Sequence, residues 1–181
     1  ELATAKASGA EALFDFYPGK AGGAFMKQYE QAGLADKLPL YTVFTVDAIS
    51  LPKLQQANMK AVLGSLTTGF WGPGLENPQN ARFVEGFLKK YGRYPSFYAA
   101  QSYDSIFLIN SAVESVGGNL QDRAGMRAAM EKADFPSVRG SFSYGANHFP
   151  IQNFYLLEVV ADGNGNWTTE IRSTVFENHQ D

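Results

Sequence analysis

Short apolar strand patterns alternate with a helical pattern in the amino-terminal part of the chain, and this alternation constrains the fold most. ALFDFYPG, Ala12 to Gly19, predicts a strand that stops at Pro-Gly, and AFMKQYEQAG predicts a helix that ends at Gly33. LPLYTVF, residues 38–44, predicts a second strand. A strand, a helix and a strand with short links form a right-handed parallel unit, so the sequence predicts an α/β fold.

The remaining segments extend this pattern. LPKLQQA predicts a second helix and residues 61–71 a third strand, after which the turn-rich GPGLENPQN predicts a lobe boundary. Later helices are predicted at residues 78–91, 97–116 and 122–132. Two final strands joined by GNGN predict a hairpin. The first residues resemble a helix already under way, so we expect an amino-terminal truncation.

Composition excludes several classes of protein. With 181 residues and 45% hydrophobic content, the chain has enough apolar surface for a real core. Its net charge of −3, without a basic block, lacks the electrostatic footprint of a nucleic-acid or anionic-membrane binder. The absence of cysteine excludes disulfides, thiolate metal sites and cysteine nucleophiles, and is compatible with both an oxidising compartment and the cytosol.

The sequence carries no motif that indicates an enzyme. Zinc-protease, nucleophile-elbow, phosphate-loop and dinucleotide motifs are missing, so we expect no catalytic residue, metal or cofactor. His148, in NHFP, is open to three interpretations: a structural turn or hinge, a ligand contact, or a catalytic residue. The spacing of Asp47 and Asp104 does not support an acid–base pair, and we expect each to be solvated or bonded to a turn.

Aromatic residues concentrate near the ends of the predicted elements. They include Tyr17, Phe44, Trp71 and Tyr98. Ligands bind beyond the carboxyl ends of parallel strands, so Tyr17 and Phe44 are where a pocket is expected, although core packing is the alternative. The glycines that begin with Gly19 either leave backbone N–H groups open to an anion or give the loop room to turn.

The order of segments resembles a known family. The resemblance is carried by the first strand, helix and strand and by two later stretches, KYGRYPSFYAAQSYD and RGSFSYGANHFPIQNFY. Together these segments resemble the latter half of type I periplasmic solute-binding proteins of ABC transporters. This group includes the leucine/isoleucine/valine-binding proteins. The resemblance extends over nearly all 181 residues and rests on the combination of segments.

The resemblance implies a two-lobe α/β fold with parallel-sheet lobes, present here only in part. Residues 1–67 and 151–181 would belong to the carboxyl-side lobe, and residues 68–150 to the amino-side lobe. Ligand would be captured between the lobes, and NHFP would lie at the last crossing, where His148 reaches the ligand. If the amino-terminal half is missing, sheet edges are left open. Open edges favour a homo-oligomer or a domain swap.

The resemblance also indicates a ligand class. Amino-acid-binding members carry an acidic residue after the second strand, where this chain has Phe44, and a shift in register would place Asp47 there instead. Tyr98 matches a position where the family packs an aromatic ring against the ligand. The aromatic residues Phe44, Tyr98, Tyr17 and Trp71 together predict a flat apolar pocket for an aromatic carboxylate. The charge of this ligand would meet donors near Gly19 or His148.

The implied role is transport without catalysis. We expect a periplasmic protein, or a membrane-anchored extracellular one in a Gram-positive host, that delivers its small-molecule ligand to an ABC permease and does not bind nucleic acid. Two alternatives use the same fold: binding of a branched-chain amino acid or an amide, and a ligand-sensing regulatory domain.

Overall fold

A computed structural model describes residues 1–180. The α helices are α1 (Leu2–Ala7), α2 (Lys20–Gln31), α3 (Leu51–Gln56), α4 (Pro78–Tyr91), α5 (Phe97–Ser115) and α6 (Arg123–Lys132). The strands are β1 (Leu13–Asp15), β2 (Leu40–Thr42), β3 (Leu66–Gly69), β4 (Ser143–Tyr144), β5 (Pro150–Ala161) and β6 (Trp167–His179). No helix within residues 1–180 is both long enough and apolar enough to cross a membrane.

The sheet confirms the predicted α/β class. Strands β1, β2 and β3 pair in parallel, and the register places Phe14 opposite Tyr41 and Asp15 opposite Thr42. Strand β5 then pairs with β3 in the antiparallel direction and also pairs with β4 and β6. The third strand begins later than predicted, because a 3-10 turn over Lys60–Val62 and the left-handed backbone of Gly64 (φ 83°) precede it.

The chain divides into two compact units. Unit 1 comprises Glu1–Gly72 with Tyr155–Ser173, and unit 2 comprises Pro73–Phe154 with the residues from Thr174 onward. The assignment of residues 1–67 and 151–181 to a carboxyl-side lobe, and of 68–150 to an amino-side lobe, stays a prediction. Strands β5 and β6 each contribute residues to both units.

In unit 1, helix α2 packs on one face of the sheet. Gly22, Met26 and Tyr29 recur at helical spacing and are all buried. Along β2 the buried Leu40 and Thr42 alternate with the exposed Tyr41, so one face of the strand points to the core. The core also contains Leu34, Val46, Leu51, Leu54, Val62 and Val159.

In unit 2, side chains at the helix ends match the sequence signals. The Asn77 side chain accepts a hydrogen bond from the backbone N–H of Asn80 at 2.8 Å, with Pro78 in the first turn of α4. Gly92 ends the same helix with φ 64°. The predicted bounds of α4 are therefore confirmed residue for residue.

Candidate ligand site

Aromatic side chains gather where β1 and β2 end in unit 1. We call Phe16, Tyr17, Phe25 and Phe44 the aromatic cluster. The rings of Phe16 and Phe44 meet edge to face with centroids 5.9 Å apart, and those of Tyr17 and Phe25 stack at 5.2 Å. Phe16, Tyr17 and Phe44 are 55%, 45% and 41% exposed, so the cluster presents apolar surface at the carboxyl ends of parallel strands.

Glycines allow α2 to begin directly beside the cluster. Gly19 precedes the helix with φ 69°, in the left-handed region. A Cβ atom on Gly22 would collide with the carbonyl oxygen of Tyr17 and lie 2.8 Å from that of Thr45. The requirement at Gly22 is therefore close approach between the helix and two loop segments, a reason different from the room to turn that the sequence suggested.

Phe44 has an unfavourable backbone conformation. Its φ is 57°, a region that aromatic L-residues rarely adopt. Its neighbours Thr45 and Val46 are each only 1% exposed and hold the segment in place. Strain of this kind persists only where the surroundings impose it, and it concentrates at functional sites.

A buried acid, Asp15, immediately precedes Phe16 of the aromatic cluster in the chain. Asp15 is 5% exposed, and the Thr45 hydroxyl donates to its Oδ2 atom at 3.0 Å. Burial raises the pKa of Asp15 to about 6, and the hydrogen bond from Thr45 opposes part of that rise. Among the described residues, neither Asp15 Oδ1 nor the hydroxyl of Thr42 has a hydrogen-bond partner. Asp15 is not among the site residues predicted from the sequence, although in LFD it lies on the same inward face of the strand as Leu13.

Asp15 should make the protein less stable as the pH rises. The folded protein holds the Asp15 proton up to about pH 6, whereas the ordinary pKa of an aspartate is 3.8. The contribution of protonated Asp15 to the unfolding free energy is therefore complete below about pH 4 and is lost as the pH rises through about 6. The difference between these two values corresponds to ~3 kcal/mol of unfolding free energy. Asp15→Asn does not titrate. In urea unfolding, the unfolding free energy of the variant minus that of wild type should therefore be ~3 kcal/mol larger at about pH 7.5 than at about pH 4. A wild-type-to-variant difference that is the same at both pH values would contradict this prediction.

Asp47 accepts hydrogen bonds ahead of α3. Its Oδ1 atom accepts from the backbone N–H groups of Ile49 at 2.9 Å and Ser50 at 2.8 Å, and its own N–H donates to the Ser50 hydroxyl at 2.9 Å. The expectation of a hydrogen bond to a turn is confirmed. A ligand contact from Asp47 stays a prediction.

The other predicted ligand residues are placed as follows. Trp71, at the end of unit 1, is only 4% exposed, whereas Tyr98, in the first turn of α5 in unit 2, is 49% exposed. His148 is an exposed residue with φ 62°, and its N–H donates to the carbonyl of Gly145 at 2.9 Å in the turn between β4 and β5. Of the predicted set, Tyr17, Gly19, Phe44 and Asp47 lie around the carboxyl edge of β1 and β2, and the ligand contacts of all these residues stay predictions.

His148 also lines a groove within unit 2. This groove has a volume of about 750 Å³ and combines apolar side chains such as Leu108, Met126 and Met130 with Arg127. Within residues 1–180, no three or more His, Asp and Glu side chains come close enough together to hold a metal ion.

Asp104 forms a buried ionic network in unit 2. Its carboxylate accepts hydrogen bonds from the Ser137 hydroxyl at 2.6 Å, the Val138 N–H at 2.9 Å and Arg139 Nε at 3.0 Å. Arg139 also donates to Gln152 at 3.1 Å. The expectation that Asp104 bonds to a turn is confirmed, whereas the arginine partner was missed because it lies 35 residues away in the sequence.

The chain matches a known protein family over most of its length. The profile of the periplasmic binding protein family matches residues 1–164. The chain belongs to this family. It is 32% identical to a Leu/Ile/Val-binding protein homolog 6 of Brucella abortus, over 97% of this chain and 45% of that protein. The predicted resemblance is therefore confirmed.

Solved structures of family members show the same fold. An ABC-transporter solute-binding protein from R. palustris, crystallised with benzoate, superposes with a TM-score of 0.83 at 30% identity, over 99% of this chain and 47% of that one. A solute-binding protein from Rhodopseudomonas palustris BisB5, crystallised with 3,4-dihydroxybenzoic acid, gives 0.83 at 27% identity, with 99% and 48% covered. The fold is that of type I periplasmic binding proteins, and the chain spans about half the length of these relatives.

Proposed function

We propose that this chain is part of an extracytoplasmic solute-binding component of an ABC importer that binds an aromatic carboxylate and delivers it to a membrane permease. The observation that carries this proposal is the aromatic cluster, with Phe44 held in a left-handed conformation at the carboxyl edge of a parallel sheet. Each ring pair formed with a ligand would contribute ~0.5–1.5 kcal/mol beyond burial. The role is binding without catalysis.

Two relatives support the aromatic class. The solved structures at 30% and 27% identity contain benzoate and 3,4-dihydroxybenzoic acid. In the proposed site, Tyr17 and Phe44 contact the ring, and backbone N–H groups near Gly19 meet the carboxylate at the start of α2, where the helix dipole favours an anion. Trp71, Tyr98 and His148 remain further proposed contacts.

A branched-chain amino acid is the second candidate, because the Brucella abortus relative is named a Leu/Ile/Val-binding protein homolog. Such a ligand carries an ammonium group that needs an anionic partner when it is buried. Phe44 has no charge to offer, and Asp47 already accepts two backbone hydrogen bonds through Oδ1 ahead of α3. These features favour the aromatic acid.

The direct test is a ligand titration of the polypeptide encoded by the complete gene. Benzoate and 4-hydroxybenzoate should raise the melting temperature, whereas leucine and valine should not. At about 100 times the dissociation constant, a ligand adds about 2.7 kcal/mol, which raises the melting temperature by several degrees. Stabilisation by leucine or valine alone would overturn the aromatic proposal in favour of the amino-acid one.

Phe44→Ala should weaken the binding of benzoate about tenfold, because it removes a ring contact and an apolar surface from the site. Tyr41→Ala is the matched control: Tyr41 is 40% exposed, close to the 41% of Phe44, and lies on β2 outside the aromatic cluster. Isothermal titration calorimetry should show the control binding benzoate as wild type does. Equal losses in the two variants would count against Phe44 as a ligand contact.

A further inference from the structure

We propose that the buried Asp15–Thr45 pair is a positioning element that fixes Tyr17 and Phe44 relative to each other for ligand binding. This inference rests on the proposed function and adds two residues that hold the loops carrying the ring contacts. Neither Asp15 nor Thr45 touches the ligand in this proposal. Their effect passes through the backbone of the two loops that follow β1 and β2.

The Thr45 hydroxyl joins those two loops. It accepts a hydrogen bond from the backbone N–H of Tyr17 at 2.8 Å and donates to Asp15 Oδ2 at 3.0 Å. The carbonyl oxygen of Val43, at 3.5 Å, is the poorer acceptor. Because a hydroxyl has a single proton, the bond to Asp15 directs a lone pair of Thr45 towards the N–H of Tyr17.

Thr45 is also the residue that follows Phe44. A backbone at φ 57° is unfavourable for phenylalanine, so the adjoining residues must hold it. Thr45 is 1% exposed, and its carbonyl oxygen faces Gly22 of α2, which also approaches the carbonyl of Tyr17. The loop of Tyr17, the loop of Phe44 and the start of α2 therefore meet at one buried point.

Burying the Asp15 carboxyl lowers the stability of the fold. Asp15 Oδ1 has no hydrogen-bond partner among the described residues although it is buried, and an unsatisfied buried polar atom typically costs about 1–3 kcal/mol. An apolar residue at this inward position of β1 would avoid that cost. An unfavourable buried acid that is hydrogen-bonded to the residue after the strained Phe44 fits a positioning role.

Thr42 provides a matched control. It is buried on β2 at 2% exposure, compared with 1% for Thr45, but its hydroxyl has no hydrogen-bond partner among the described residues. Thr45→Val and Thr42→Val therefore remove the same atoms from similar surroundings, and only the first breaks the link between the loops. Thr45→Ser restores the hydroxyl, and Asp15→Asn retains an acceptor oxygen.

The experiment uses the complete gene product, with benzoate and 4-hydroxybenzoate titrated calorimetrically and the amide hydrogen exchange of Tyr17 followed by NMR. Thr45→Val should weaken the binding of both acids by roughly fivefold to tenfold and speed amide exchange at Tyr17 by a similar factor. This change is equivalent to one lost hydrogen bond. Thr45→Ser and Asp15→Asn should stay close to wild type, as should Thr42→Val. Asp15→Leu should behave like Thr45→Val.

The outcomes separate the two proposals. If wild type binds neither acid, the proposed function fails. If wild type binds and Thr45→Val binds equally well with unchanged exchange at Tyr17, only the positioning role is overturned. If Thr42→Val loses as much affinity as Thr45→Val, the effect is general destabilisation, and the positioning role is again overturned.

Discussion

Replacing Asp104 by alanine should lower the unfolding free energy by about 3–5 kcal/mol, because removal of one partner leaves a buried charge uncompensated. Asp104 and Arg139 have side chains that are only 2% and 8% exposed, with 3.0 Å between Oδ2 and Nε. The same change also removes the acceptor for the Ser137 hydroxyl and the Val138 N–H. Thermal unfolding should show a decrease in melting temperature of roughly 6–20 °C.

The matched control is a solvent-exposed pair in the same unit. Lys132 and Asp134 lie 3.1 Å apart, but their side chains are 73% and 78% exposed. Asp134→Ala should leave the melting temperature almost unchanged, because water screens exposed pairs. If the two aspartate variants melt within a degree or two of each other, the ionic network around Asp104 does not stabilise unit 2 as we infer.

Replacing Gly22 by alanine should destabilise the protein by about 3 kcal/mol, at the upper end of the usual cost of overpacking. The new methyl group would meet the carbonyl oxygens of Tyr17 and Thr45, which are backbone atoms and cannot turn aside as a side chain can. Relief would require α2 to move away from the two loops. We therefore expect weaker aromatic-acid binding in addition to lower stability.

Gly23 is the control within the same helix. A Cβ atom there has no heavy atom within 4 Å, so Gly23→Ala should stabilise the protein by up to about 1 kcal/mol through helix propensity. Chemical denaturation of both variants gives the comparison, and the expected changes have opposite signs. Destabilisation by both substitutions would show that the helix itself, rather than the contact at Gly22, is sensitive to alanine.

Much of the fold could be predicted because its signals are local. The bounds of α4 follow from Asn77, Pro78 and Gly92, residues that act on the backbone within one turn of the helix. The parallel arrangement of β1, β2 and β3 follows from short links around helices. The family was predictable too, because its order of segments survives at about 30% identity.

The antiparallel entry of β5 beside β3 was not predictable, because partners as distant as Leu66 and Glu158 leave no trace in local periodicity. The candidate site shows the same division. Tyr17 and Phe44 could be proposed from their positions after strands, whereas the role of Thr45 could not, because its bonds reach back 28 and 30 residues to Tyr17 and Asp15.

By itself, the sequence determined the class of fold, the ends of α4 and the family, because backbone preferences and hydrophobic periodicity act over a few residues. Only the tertiary structure decided that Asp15 is buried, that Gly22 must lack a side chain and that Phe44 adopts a left-handed backbone. These properties depend on what the rest of the chain brings against each residue. Desolvation, close approach and imposed strain arise from neighbours in space, which the order of residues alone does not reveal.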